Sequence, residues 1–131
     1  MVKFTKPQLK KKCDELLTPI AKLNNKFCEA GCGRKTQVGH HWIEKGRSNR
    51  LRYDIDNIVS LCNVCHSQIH NNFRNNVVQS IDIAMTIINK RGKDWYDRMK
   101  LLQPEKVITN KEYYVNEFNR LTRIKNELEN L

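Results

Sequence analysis

Eight residues able to bind metal ions or move protons crowd into the stretch from 28 to 70: Cys28, Cys32, His40, His41, Cys62, Cys65, His66 and His70. The cysteines form two close pairs, Cys28-Glu-Ala-Gly-Cys32 and Cys62-Asn-Val-Cys65. Four thiolates supplied as pairs two to four residues apart suit a tetrahedral zinc at roughly 2.3 Å from each sulfur. Gly31 and Gly33 flank Cys32 and would ease a tight turn around the ion. The competing reading is disulfides, which needs an oxidising compartment, and nothing in the sequence looks secreted. Cys13 stands apart, on the apolar side of a helical pattern, and is expected in the core.

The histidines divide differently. His40 and His41 are adjacent near the end of a strand-like segment, so regular strand geometry sends them to opposite faces. His66 and His70 lie four apart in a helical pattern and share a face. The economical arrangement puts His40, His66 and His70 on one divalent cation and leaves His41 free beside it. A near-neutral imidazole next to a cation is what water activation requires, and the cation would offset charge on a phosphorus centre and its departing oxygen. Lys45, Arg47, Arg50 and Arg52 follow directly, opposed only by Glu44, and suit phosphate contacts.

Several elements must hold these groups. Leu9, Cys13, Leu16, Ile20 and Leu23 mark one face of an amphipathic helix between Pro7 and Leu23, which Pro19 should kink or end early. Thr36–Ile43 and Asn57–Leu61 read as the two strands of a hairpin. From Asn63 onward one helical pattern is expected, first near Val64–Ile69 and then through Val77, Val78, Ile81, Ala84, Met85 and Ile88 to a stop at Gly92, with a short helix over Trp95–Leu102 ahead of Pro104. Thr109-Asn-Lys-Glu112 reads as a capping box opening a last helix with Tyr114, Phe118, Leu121, Ile124 and Leu128 on one side. The expected class is α+β, in the order helix, small β region, then three helices. The expected division is 1–26 as an N-terminal helix, 27–72 as the metal-bearing core, and 73–131 as a helical extension packed on it.

The 131 residues carry a formal charge of +10, from 24 Lys+Arg and 14 Asp+Glu, which points to a polyanionic partner. Residues 1–92 hold 16 basic and 7 acidic side chains, whereas residues 93–131 hold 8 and 7. The excess therefore belongs to the part holding the metal motifs. No apolar run reaches the roughly 18–20 residues of a membrane span, and no signal-peptide stretch follows the basic N-terminus, so a cytoplasmic protein is expected.

The strings Val38-Gly-His-His-Trp-Ile, Arg50-Leu-Arg-Tyr-Asp-Ile-Asp-Asn57 and Leu61-Cys-Asn-Val-Cys-His66-Ser-Gln-Ile-His70 resemble an HNH, or ββα-metal, endonuclease. The resemblance implies that His41 is the general base, and that Asn57 orients the loop and that base. His66 falls on the last His of the motif, a metal ligand. His40 falls on a ligand position that is often Asp and is His in the colicin-like branch, where a further His corresponds to His70. The cysteine pairs resemble the zinc-stapled subset, with one departure: three residues separate Cys28 from Cys32 where two are commoner. Gly92-Lys-Asp-Trp-Tyr and the lysine-rich helix after it are similar to the tail of NinG-type phage recombination nucleases.

The expected function is metal-dependent hydrolysis of DNA phosphodiesters, with a structural Zn2+ and a catalytic Mg2+, Mn2+, Ni2+ or Zn2+. Imidazole-rich ligation favours the transition metals over Mg2+. The resemblance further implies 5′-phosphate and 3′-hydroxyl products, and a phage or prophage role in DNA recombination or processing within a bacterial host cell. The alternative is a non-catalytic zinc-stapled DNA-binding module, which would have no need of His40, His41, Asn57, His66 and His70 together. A toxin-type nuclease would also use these histidines but calls for an immunity partner and a delivery domain. Trp42 and Tyr53 could stack on bases but are expected to pack on the β region. Trp95, Tyr96, Tyr114 and Phe118 are expected to knit the last helices onto the core, and a monomer or a homodimer both remain compatible with the pattern.

Overall fold

The computed structural model describes residues 3–70 and 77–131, so the expected boundary at 72/73 lies outside the described residues. Helix α1 (Lys6–Asn24) starts with a reciprocal capping box, in which Gln8 N–H donates to Thr5 Oγ1 and Thr5 N–H donates to Gln8 Oε1. It buries Leu9, Cys13, Leu17, Ile20 and Ala21, so the face is rotated slightly from the expected one: Leu17 replaces Leu16 in the core and Leu23 is exposed. Nor does Pro19 end the helix, which continues to Asn24. One forfeited backbone hydrogen bond is outweighed by burial of Ile20 and Ala21, since a fully buried aliphatic side chain stabilises by roughly 1.5–3 kcal/mol.

Strands β1 (Val38–His41) and β2 (Ile58–Leu61) form an antiparallel pair with Val38 opposite Leu61, Gly39 opposite Ser60, His40 opposite Val59 and His41 opposite Ile58. A 3₁₀ turn, Ile55–Asn57, leads into β2. Strand alternation splits the pair between two cores. Ile58 joins Leu9, Cys13, Leu17, Ile20, Ala21, Tyr53, Tyr114 and Leu121 on the side of α1. Val59 and Leu61 join Cys28, Cys62, Cys65, Ile83 and Ile87 on the other side. By the same register, His41 shares the face of Ile58 and His40 shares that of Val59. The divergence of the two adjacent histidines is thus a property of the pleat.

Four helices follow the sheet among the described residues, not three: α2 (Asn63–His70), α3 (Val77–Arg91), α4 (Lys93–Leu102) and α5 (Lys111–Glu129). The class is α+β. Helix α3 presents Ser80, Ile83 and Ile87 to the core, while Val78, Ile81 and Met85 are exposed, so the face expected inside is on the outside. Its sequence is apolar nearly all round, which leaves periodicity with little to choose between faces. Helix α5 begins one residue later than expected, with Asn110 rather than Thr109 as its cap, and Tyr113 N–H donates to Asn110 Oδ1 at 2.8 Å. It lays Tyr114, Phe118, Leu121, Ile124 and Leu128 against the α1 cluster, so α1 and α5 pack together. No described helix is long and apolar enough to cross a membrane.

Candidate functional site

The thiols of Cys28, Cys32, Cys62 and Cys65 all lie within 4.8 Å of one another, and none is in a disulfide. The first pair is carried on a turn in which Gly31 and Gly33 take φ of 79° and 83°, the left-handed region that glycine tolerates best. The second opens α2, where the Cys65 N–H donates to Cys62 Sγ at 3.4 Å. Cys32 Sγ lies 3.6 Å from Cys62 Sγ, close to the roughly 3.8 Å edge of a sulfur tetrahedron around zinc at 2.3 Å. Burial raises the Cys28 and Cys65 thiols. Burial acts on Cys62 in the same sense, but hydrogen bonds from Cys65, Cys32 and Cys28 draw it down to about 7. This donor set fits a structural metal ion. Cys13, by contrast, donates to Tyr114 O from inside the α1 cluster, and burial beside Asp14 and Glu117 pushes its thiol up to about 12.

The second cluster is imidazole. Ring nitrogens of His40, His66 and His70 lie within 4.8 Å of one another, with His66 Nε2 and His70 Nε2 only 3.0 Å apart. Neighbouring ligands at right angles around a cation, each at about 2.1 Å, would be about 3.0 Å apart, as His66 Nε2 and His70 Nε2 are, and with His40 beside them the three rings could hold one ion. β1 carries the first of these rings, and the one-turn spacing on α2 brings in the other two. Burial, with His66, His70 and His41 adding like charge, lowers His40 to about 3, and burial also lowers His66, so neutral donor nitrogens are favoured.

His41 turns away from that cluster. Its Nε2 lies 2.9 Å from the backbone carbonyl of Arg52. A carbonyl only accepts, so Nε2 carries the proton and Nδ1 keeps its lone pair. Asn57 is fully buried and fixes the loop between them. Ile43 N–H donates to Asn57 Oδ1 at 2.8 Å, and Asn57 Nδ2 donates to Ile43 O at 3.0 Å and Leu51 O at 3.2 Å. The Asn57 carbonyl also accepts from Trp42 N–H.

A cavity of about 560 Å³ exposes this constellation. It is lined by Asp14, Leu17 and Thr18 of α1, by Gly39, His40 and His41, by Glu44, Lys45 and Gly46, and by His66 and His70. The four basic residues fare unequally. Lys45 lines the cavity, and Arg47 is exposed beside it, paired with Glu44. Arg50 pairs with Asp54 and Glu105, and Arg52 with Asp14, so both guanidinium groups have carboxylate partners within the fold. Asp14 and Thr18 were not legible in the sequence, because α1 lies far away along the chain and an acid in a lysine-rich helix reads as solvated surface.

Trp42 packs on Trp95 at 5.0 Å between ring centroids, and Tyr53 is buried against Tyr113 and Tyr114. No curated protein and no solved structure matches the chain. Residues 28–72, roughly a third of the chain and the part that holds both clusters, match the family model of the HNH endonuclease.

Proposed function

We propose that the protein is a metal-dependent DNA endonuclease that hydrolyses phosphodiester bonds with His41 as general base. The observation that carries this reading is the pairing of a three-imidazole cluster with a separate imidazole whose tautomer is set by Arg52 O. Nδ1 of His41 takes a proton from water as the water oxygen attacks phosphorus. The bond to the 3′ oxygen breaks, that oxygen is protonated from solvent, and the 5′-phosphate is released. A divalent cation held by His40, His66 and His70 would supply neutralisation of the charge gathering on phosphorus and on the leaving oxygen. Asn57 holds the 43–51 loop, and with it the carbonyl that orients His41. Lys45 and Arg47 are the basic side chains best exposed to meet phosphates near the cavity, with Arg50 and Arg52 acting through their carboxylate partners. The four cysteines would hold a structural Zn2+ that pins the turn at Cys28–Cys32 to the start of α2.

The resemblance to NinG-type phage nucleases extends the reading to DNA recombination or processing in a bacterial host cell. Purified protein is therefore assayed on supercoiled plasmid, linear duplex, single-stranded and branched DNA with Mg2+, Mn2+, Ni2+, Zn2+ or EDTA. Cleavage with a divalent ion and none with EDTA is expected, and faster cutting of branched DNA would support the recombination role. Salt-sensitive binding with no cleavage under any ion would instead indicate a zinc-stapled binding module.

A further inference from the structure

Helix α1 lies wholly outside the 28–72 segment, yet it forms one wall of the histidine cavity and touches the element that carries the base. Asp14 grips Arg52 through both carboxylate oxygens, with Arg52 Nε donating to Oδ1 at 3.1 Å and Nη2 donating to Oδ2 at 2.8 Å. Arg52 Nε also donates to Tyr53 Oη at 3.2 Å, and that hydroxyl donates back to Lys10 O of α1 at 3.4 Å. The pair is largely shielded, with side-chain exposures of 12% for Arg52 and 31% for Asp14. A two-pronged carboxylate–guanidinium contact fixes orientation as well as distance. The residue so fixed is the one whose carbonyl receives His41 Nε2–H.

A second contact locks α1 to the other end of this geometry. Gly39 N–H donates to Thr18 Oγ1 at 3.2 Å, and a Cβ at Gly39 would come within 3.1 Å of Leu17 O and 2.9 Å of Ile58 Cγ2. The backbone just before His40 and His41 is therefore seated directly on α1. Helix α1 sets both the strand that carries the base and the carbonyl that orients it.

We propose that Asp14 is a positioning residue for His41, acting through Arg52, so that the catalytic unit of this protein includes a helix beyond the metal-bearing segment. The proposal rests on His41 being the general base. Because the guanidinium of Arg52 answers to Asp14, its role is orientation of the base, while phosphate contact falls to Lys45 and Arg47.

The test uses the full-length, metal-loaded protein, with Asp14→Asn, Asp14→Ala, Arg52→Lys and the double variant Asp14→Asn/Arg52→Lys. Misplacing a reacting group by an ångström or loosening a supporting hydrogen bond lowers rates by about 10- to 100-fold. A loss of that order in kcat is expected for Asp14→Asn and Arg52→Lys, with KM, bound metal and circular dichroism unchanged. The double variant should be no worse than the poorer single variant, as expected for two residues in one chain of contacts. Proton–nitrogen NMR should show a protected His41 Nε2–H in the wild type that is lost to solvent exchange in Asp14→Asn. Wild-type kcat in both Asp14 variants would overturn the proposal, as would a change confined to KM with the Nε2–H signal intact. The latter result would assign Asp14 to charge repulsion at the DNA surface. If the wild type itself cleaves nothing, the nuclease reading fails, and the Nε2–H signal alone still decides whether Asp14 orients His41.

Discussion

Asn57 has no solvent exposure, and its side chain satisfies three backbone groups of a loop that has no regular structure of its own. Removing that amide strands Ile43 N–H, Ile43 O and Leu51 O in the interior, where an unmet polar group costs about 1–3 kcal/mol. Asn57→Ala should therefore lower unfolding free energy by about 2–4 kcal/mol in a urea titration, allowing for partial relaxation. Asp at this position keeps the acceptor for Ile43 N–H and loses both donors, so it should not rescue stability. Equal stability of the Ala variant would contradict the role given to Asn57. At this scale the sequence was informative because spacing alone separates His40 from His41 and unites His66 with His70. Arg52 shows the boundary of that approach: a basic side chain after a candidate base suits a phosphate, and only the fold brings Asp14 to it.

Among the elements, α2 does two jobs in eight residues. Its first turn carries Cys65 into the thiol cluster beside Cys62, the residue just before the helix, and the rest of it carries His66 and His70 to the imidazole cluster. A metal at the cysteines would therefore fix the helix on which His66 and His70 stand. Cys62→Ser should remove about one metal ion per chain by elemental analysis and lower the melting temperature, since a structural zinc contributes directly to folding. Unchanged metal content and melting would exclude a metal staple. Both strands and α2 were visible in their residue patterns. The face of α3 was not, because Val78, Ile81 and Met85 are as apolar as Ile83 and Ile87, and packing on the cysteine core decides between them. Pro19 misleads for a related reason: a local rule about one lost hydrogen bond yields to burial on both sides of the proline.

Across the whole molecule, long-range pairs fasten the helical parts to the metal-bearing centre. Glu29, in the turn between Cys28 and Cys32, is nearly fully buried, and it accepts from Arg91 Nε and Nη2 at 2.8 Å each. It also accepts from Ser60 N–H at 2.6 Å. Arg91 in turn donates to Asp56 O and Ile58 O, so the end of α3 clasps both the cysteine turn and the start of β2. Breaking a buried pair by removing one partner costs about 3–5 kcal/mol, because the other charge is left without compensation. Arg91→Ala should lose stability on that scale, and a loss below 1 kcal/mol would show that the clasp is dispensable. None of these pairings could be read from local pattern, because their partners lie 31 to 62 residues apart. The same holds for the packing of α5 on α1, where each amphipathic stripe was evident and the identity of its partner was not.

The nuclease reading turns on one imidazole. Supercoiled plasmid cleavage by the wild type and by His41→Ala, each with an activating divalent ion and with EDTA, tests it most directly when paired with DNA binding and thermal melting of both proteins. The expected result is ion-dependent cleavage by the wild type and a loss of at least about 100-fold in His41→Ala, in keeping with a general base worth about 10² to 10⁴ in rate, with binding and melting retained. A His41→Ala protein that cleaves at the wild-type rate would contradict the assignment.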